Sequence, residues 1–198
     1  MKTLERVLFG IGSVILFWCA WRSAEARVYQ ASHEARFEER RSAEGPIDSP
    51  APARTKRVRE GGALGRIEIP RIGLAAVIAE GETEATLRLA VGHIAGTALP
   101  GENGNVGLAG HRDGFFRPLA RIRLHDEIRL TVERGRSILY RVDSTSVVDP
   151  SDVSVLARGP DDSLTLVTCY PFGYIGPAPR RFVVRATRLS ISSLSRSR

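Results

Sequence analysis

With 198 residues, 42% of them hydrophobic and 26% charged, the chain is long enough for one ordinary domain plus appendages and has a globular composition. Its formal net charge of +7 comes almost wholly from arginine, Lys2 and Lys56 being the only lysines, and the arginines are spread along the chain. That spread argues against nucleic-acid binding; the charge is consistent with an anionic partner such as a lipid surface, and arginine-heavy usage also arises from codon bias.

Residues 7–21 read VLFGIGSVILFWCAW, an apolar run bounded by Arg6 and Arg22. The run is shorter than the roughly 20 residues that span a bilayer untilted, but Trp18 and Trp21 are placed to sit at an interface. Two readings stand: an uncleaved anchor with the rest of the chain outside the cell, or a signal peptide cleaved near Ala24-Glu25-Ala26. The expectation adopted is an anchor over residues 1–22, and in both readings the remainder is extracytoplasmic. Residues 22–44 are rich in Ala, Glu and Arg and free of Pro and Gly, which suits a helical stalk; His33 reads as a solvated residue on it. Pro46, Pro50 and Pro52 then open an extended linker, so stalk and linker together occupy residues 23–60 and a globular domain is expected over 61–198.

From residue 61 onwards the texture is that of short strands between turns: GRIEIP, AAVIAEG, NVGLAGH, DEIRLTVERG, SILYRVDSTSVV, SLTLVTCY and RFVVRATRL. Ile128, Leu130 and Val132 alternate with Arg129 and Thr131, as in a strand with one buried face. This run and Ile138-Leu139-Tyr140-Arg141-Val142 flank a turn and read as a hairpin. About seven strands with little helical pattern predict an all-β, closed or nearly closed barrel, with one short helix in the stretch 113–121.

Cys169 ends the run Thr165-Leu166-Val167-Thr168-Cys169 just before the turn-rich YPFGYIGPAP, at a barrel rim where a peptide could reach it. Cys19 lies in the apolar run more than a hundred residues away, so Cys169 is an unpaired thiol in an oxidising compartment, where a leftover thiol is usually absent or used. One cysteine also falls short of a His/Cys zinc site, and no metal or cofactor is expected. A second run ends in Gly110-His111-Arg112-Asp113. A third opens with Arg180 and Arg181 shortly after the cysteine, and the short connection predicts that its strand neighbours the cysteine strand. His125 sits in a polar turn and reads as solvated, whereas His93 is a candidate groove residue.

Together TLVTC, the preceding GHRD and the following arginine resemble the sortase family, whose signature is a TLxTC strand with a histidine about 60 residues earlier and an arginine about a dozen later. GHRDGFFRPLARI, VVDP, TLVTCYPF and APRRFVVRA look most like its class D subgroup. The resemblance runs from about Leu64 to Leu189. It implies an eight-stranded barrel with one or two short helices behind an N-terminal membrane helix, in a protein of the bacterial cell membrane. By position Cys169 matches the family nucleophile, His111 the acid/base, Arg181 the oxyanion-side cation and Thr168 the threonine that helps line the substrate and oxyanion region. The implied activity is cleavage of an LPxTG-like sorting signal in secreted proteins and transfer of the acyl group to an amine, such as a cell-wall precursor.

The chemistry suits these residue types. An unperturbed thiol is mostly protonated near neutral pH and needs a neighbouring imidazole; a developing oxyanion needs donors that a guanidinium presents in a fixed plane; and the leaving amine needs a proton that a histidinium can give. Two other readings use the same scaffold: a cysteine hydrolase with water as acceptor, and a non-catalytic anchored barrel that binds peptide or anionic lipid. Alternation along a strand lets only one of Arg180 and Arg181 share a face with the thiol; the resemblance, which places the family arginine immediately before the Phe182-Val183-Val184 run, implies Arg181.

Overall fold

The computed structural model describes residues 2–43, 59–132 and 136–189. A long helix, α1 (Lys2–Ala43), precedes eight strands: β1 (Ala63–Ile69), β2 (Leu74–Glu80), β3 (Val91–His93), β4 (Asn105–Ala109), β5 (Glu127–Val132), β6 (Ser137–Val148), β7 (Ser163–Tyr170) and β8 (Arg180–Arg188). One short helix, α2 (Glu84–Leu89), lies between β2 and β3. The strands close in the order β1-β2-β3-β4-β7-β8-β6-β5, so every strand has two partners and the barrel presents no open edge along its circumference. The expected closed eight-stranded barrel is the one the chain forms.

Alternation explains the core. Along β5, Ile128, Leu130 and Val132 are buried while Glu127 and Arg129 are exposed, and Ile67 of the neighbouring β1 together with Leu108, Leu164 and Leu166, which have no exposed surface, join them in one core. The expected hairpin is β5–β6, paired antiparallel from Glu127↔Arg141 to Thr131↔Ser137. Pairs β2–β3 and β4–β7 run parallel, which forces crossover connections.

Three elements differ from the sequence reading. Val91–His93 is a strand of three residues, too short to show a period, and it seats between β2 and β4. The helix α2 is six residues long and is announced only by its cap, Thr83, whose hydroxyl accepts from the N–H of Thr86 at 3.4 Å. The short helix expected in 113–121 is a 3₁₀ turn, Arg117–Arg121, with Pro118 at its start. The expected linker falls mostly on residues 44–58, outside the described residues.

Residues 7–21 and the Ala/Glu/Arg-rich stretch that follows form one continuous helix in α1. Among the described residues no helix is long and apolar enough to cross a membrane. The second half of α1 docks on the barrel. Gln30 donates from Nε2 to the carbonyl of Leu89 at 2.7 Å and accepts from the N–H of Val77 at 2.7 Å. Val77 lies just before the β2–β3 pairing begins at Ile78, so the Gln30 amide satisfies a strand N–H that β3 does not reach. Tyr29 donates to the carbonyl of Gly61 at 2.8 Å, and an apolar cavity of ≈ 380 Å³ remains between Tyr29, Gly61, Ala79, Thr86 and Leu89.

At the end of β1 the chain makes a 3₁₀ turn, Pro70–Ile72, which a pair between Arg71 and Asp126 fastens to the loop before β5. The Arg123 N–H adds a bond to the same carboxylate at 2.8 Å, and Arg121 donates to the Ile72 carbonyl at 2.8 Å. Hydrogen bonding from Arg71, against an opposing effect of burial, holds the Asp126 carboxyl below the usual carboxylate range. A depressed folded-state value means that the unfolded chain binds the proton more tightly. The contribution is therefore complete above the unfolded value, about 3.9, and is lost as pH falls through the folded one. Denaturant unfolding at a series of pH values is expected to show wild-type stability falling below about pH 5 more steeply than that of Asp126→Asn, and the two converging in acid.

Candidate active site

The site is set by the register of three adjacent strands. In β7 the even residues Leu164 and Leu166 enter the core, so Thr165, Val167 and Cys169 face outwards. Antiparallel pairing sets Cys169 directly opposite Arg181 and Tyr170 opposite Arg180. Residues opposite one another share a face, so Arg181 lies beside the thiol and Arg180 points the other way. Val184 and Ala186, on the opposite parity of β8, are fully buried.

On the other side β4 runs parallel to β7 with Leu108↔Leu166 and Ala109↔Val167. Pairing continues past the formal end of β4, because the Gly110 N–H donates to the Val167 carbonyl at 3.2 Å. Two residues beyond the Ala109↔Val167 pair, the same register and parity would bring His111 level with Cys169, on the outer face. Thr168 locks this extension: its side chain is buried, and its hydroxyl donates to the Gly110 carbonyl at 2.7 Å. Gly110 is required there, since a Cβ would stand 2.8 Å from the buried ring of Phe116. Immediately after, the Gly114 and Phe116 N–H groups donate to the His111 carbonyl at 3.1 and 3.3 Å, turning the chain away and leaving the imidazole at the rim.

Cys169 is a free cysteine, partly exposed. The Arg181 guanidinium donates from Nη1 to the carbonyls of Ala178 and Arg180 at 3.3 and 3.2 Å, which keeps it folded against the start of its own strand. Across β6, Val148 pairs with Arg181, and the next residue is Asp149. Bonds from Ser151, with a smaller contribution from the charges of Arg180 and Arg181, hold the Asp149 carboxyl below the usual range. His111 Nε2 lies 3.4 Å from Glu84 Oε2.

The remaining two candidates from the sequence are placed beneath this face. Thr168 reaches inward, so its side chain holds β4 and presents nothing to a peptide on the surface. His93 is 2% exposed, with Nδ1 3.0 Å from Glu80 Oε2 and Nε2 3.0 Å from the Ala98 carbonyl and 3.1 Å from Thr97 Oγ1. Both ring nitrogens are engaged, and the residue fastens the loop between β3 and β4. That loop closes one side of the outer face: Thr97 accepts from the Gly107 N–H at 3.0 Å, and a Cβ at Gly107 would stand 2.9 Å from Thr97 Cγ2. The far end is covered by the 3₁₀ turn Val153–Leu156, whose Val155 carbonyl accepts from Thr165 and Asn105, each at 3.4 Å. Among the described residues no group of His, Cys, Asp and Glu is placed to hold a metal.

Sequence reasoning missed Arg112 and Glu84. Arg112 donates to the carbonyls of Pro171 at 3.2 Å and Gly176 at 2.8 Å and lies over the Tyr174 ring at 5.8 Å, so the residue after His111 straps down the β7–β8 loop. Tyr170, Phe172 and Phe182 anchor that loop from below, with ring centroids 5.4–6.2 Å apart. The signal for Arg112 was its place in GHRD; nothing local pointed to Glu84.

Comparison with known proteins agrees with this fold. A sortase domain model matches residues 67–189, and the chain belongs to the sortase family. It is 37% identical over 131 residues to sortase D of Bacillus subtilis (strain 168), covering 66% of each chain. It is 30% identical over 110 residues to sortase A of Listeria monocytogenes serovar 1/2a, covering 54% of this chain but 49% of that protein. The chain thus spans between about half and two thirds of these relatives' lengths. Among solved structures it is similar to a Clostridium perfringens sortase D5 transpeptidase, with a TM-score of 0.67 and 28% identity over 84% of this chain and 99% of that one.

Replacing Thr168 by Val keeps the shape and removes the donor to the Gly110 carbonyl. Denaturant unfolding is expected to show a loss of about 1–3 kcal/mol, the cost of stranding a buried acceptor.

Proposed function

We propose that this chain is a membrane-anchored sortase transpeptidase, with Cys169 as nucleophile, His111 as acid/base and Arg181 as oxyanion donor. The observation that carries the reading is the placement of Arg181 opposite Cys169 in β8, with His111 continuing the outward parity of β4 on the other side. A peptide lying along the outer face of β4 and β7 would have its scissile carbonyl between a cation and an imidazole.

The Cys169 thiol gives its proton to His111, and the sulfur attacks the carbonyl carbon of an LPxTG-like sorting signal. As negative charge gathers on the oxygen, Arg181 leaves the Ala178 and Arg180 carbonyls and donates to it, a bond made mainly in the transition state. The C–N bond then breaks, and His111 returns the proton to the leaving amine. The acyl group remains as a thioester on Cys169. An incoming amine, from a cell-wall precursor or another protein, attacks the thioester, passes a proton through His111 and restores the thiol.

The anchor belongs to the same proposal. Phe9, Val14, Leu16, Phe17, Trp18 and Trp21 in the first half of α1 are each more than 60% exposed, and such a surface needs a lipid or protein cover. The charged flanks Lys2, Arg6 and Arg22 fit a single pass with the barrel, residues 61–198, on the outer side of a bacterial membrane.

The test is a peptide-transfer assay with an LPxTG-type peptide, with and without a primary amine. The peptide–amine conjugate is expected to form and to disappear with Cys169→Ala; free acid as the sole product at saturating amine would make the protein a hydrolase. Arg181→Ala is expected to lower kcat about 100- to 1,000-fold, Arg181→Lys to restore little of it, and Arg180→Ala to cost little.

A further inference from the structure

We propose that Glu84 is a positioning residue for His111, holding its Nε2 edge so that Nδ1 is the nitrogen that exchanges the proton with Cys169. The inference deepens the reading of His111 as acid/base and rests on it. His111 as a residue is partly exposed, its side chain at 34%, yet Nε2 is shut off from solvent and has no hydrogen-bond partner. The acidic oxygen beside it is Glu84 Oε2, at 3.4 Å and without hydrogen-bond alignment. A ring nitrogen enclosed in this way cannot meet a thiol or an amine arriving from the groove, which leaves Nδ1 for that exchange. A proton placed on Nε2 instead faces the Glu84 carboxylate, which stabilises it.

The backbone beneath Glu84 is fixed from both ends. Glu84 is the first residue of α2, directly after the Thr83 cap, and at the other end the Leu89 carbonyl accepts from Gln30 of α1. Its side chain is 79% exposed and free to swing the short distance that alignment requires. Catalytic hydrogen bonds that are long in a free enzyme commonly tighten when substrate displaces water, and a peptide over the rim would do so here. The neutral imidazole would then carry its proton on Nε2 and present a bare Nδ1 to the thiol, the same division of labour by which a carboxylate fixes the tautomer in a serine–histidine pair.

The experiment uses the full chain in detergent, labelled with ¹⁵N-histidine, as wild type, Glu84→Ala, Glu84→Gln and Glu84→Asp. Substitution at so exposed a position leaves the core untouched, and thermal unfolding checks this. In the wild type at a pH where His111 is neutral, its ring nitrogens are expected to report the Nε2–H tautomer. Glu84→Ala is expected to mix the tautomers and lower kcat about tenfold at unchanged KM, a part of the roughly 100- to 10,000-fold that acid–base catalysis contributes. Glu84→Gln, which keeps an acceptor, is expected to hold the tautomer better than Ala, and Glu84→Asp to recover part of the rate. A wild-type Nδ1–H tautomer, or a Glu84→Ala protein with unaltered ring signals and kcat within twofold, would overturn the proposal. The ring signals need no substrate, so a wild type that transfers no peptide would count against the proposed function while the pairing of Glu84 with His111 was still decided by the spectra.

Discussion

The candidate site depends above all on one buried hydrogen bond, from the Thr168 hydroxyl to the Gly110 carbonyl, which reinforces the bond from the Gly110 N–H to the Val167 carbonyl. A parallel pair of strands that stopped at Ala109 and Val167 would leave the following residues free to diverge, and a histidine and a cysteine 58 positions apart would have no reason to meet. The bond extends the pairing across the residues that precede both side chains, from within the barrel, where its geometry is protected from water. Because side chains alternate, an inward threonine in one strand and an inward-facing glycine carbonyl in the other put the next residue of each, Cys169 and His111, on the outside.

The same economy recurs around the groove: buried polar groups hold the backbone, while the residues proposed to react stay at the rim. His93 spends both ring nitrogens on the Glu80 carboxylate and on the loop that covers Gly107, and Arg112 spends its guanidinium on two carbonyls of the β7–β8 loop. Arg181 differs. Its guanidinium touches carbonyls at 3.2–3.3 Å in a partly exposed setting, so it can exchange them for a developing oxyanion at small cost.

The closed barrel, the hairpin of β5 and β6, and the pairing of β7 with β8 were legible because they leave a period-two pattern or a short connection. Strand alternation alone said that only one of Arg180 and Arg181 shares a face with the thiol; the resemblance to the family chose Arg181, which stands opposite Cys169 in the β7–β8 register. What was illegible was short or supported from a distance. Three residues of β3 carry no period, and α2 is held at one end by Gln30, 59 residues before the Leu89 it binds. His93 shows the limit of reading type without environment. A histidine in a Gly-His-Ile run is as compatible with a groove as with a buried clasp, and only the presence of Glu80 and Ala98 at its two nitrogens separates them. Thr168 likewise carried the family motif, but nothing in the motif tells an inward hydroxyl from one that faces substrate.

The most direct test of the convergence of Cys169, His111 and Arg181 is a crystal structure of the protein covalently modified by a peptide mimic of the sorting signal. The mimic is expected on Cys169 Sγ, with its carbonyl oxygen accepting from the Arg181 guanidinium, released from Ala178 and Arg180, and with the His111 imidazole on the side of the leaving group. An adduct in which Arg181 stayed on those two carbonyls, or in which His111 lay beyond reach of the sulfur and the leaving-group position, would contradict the proposed site.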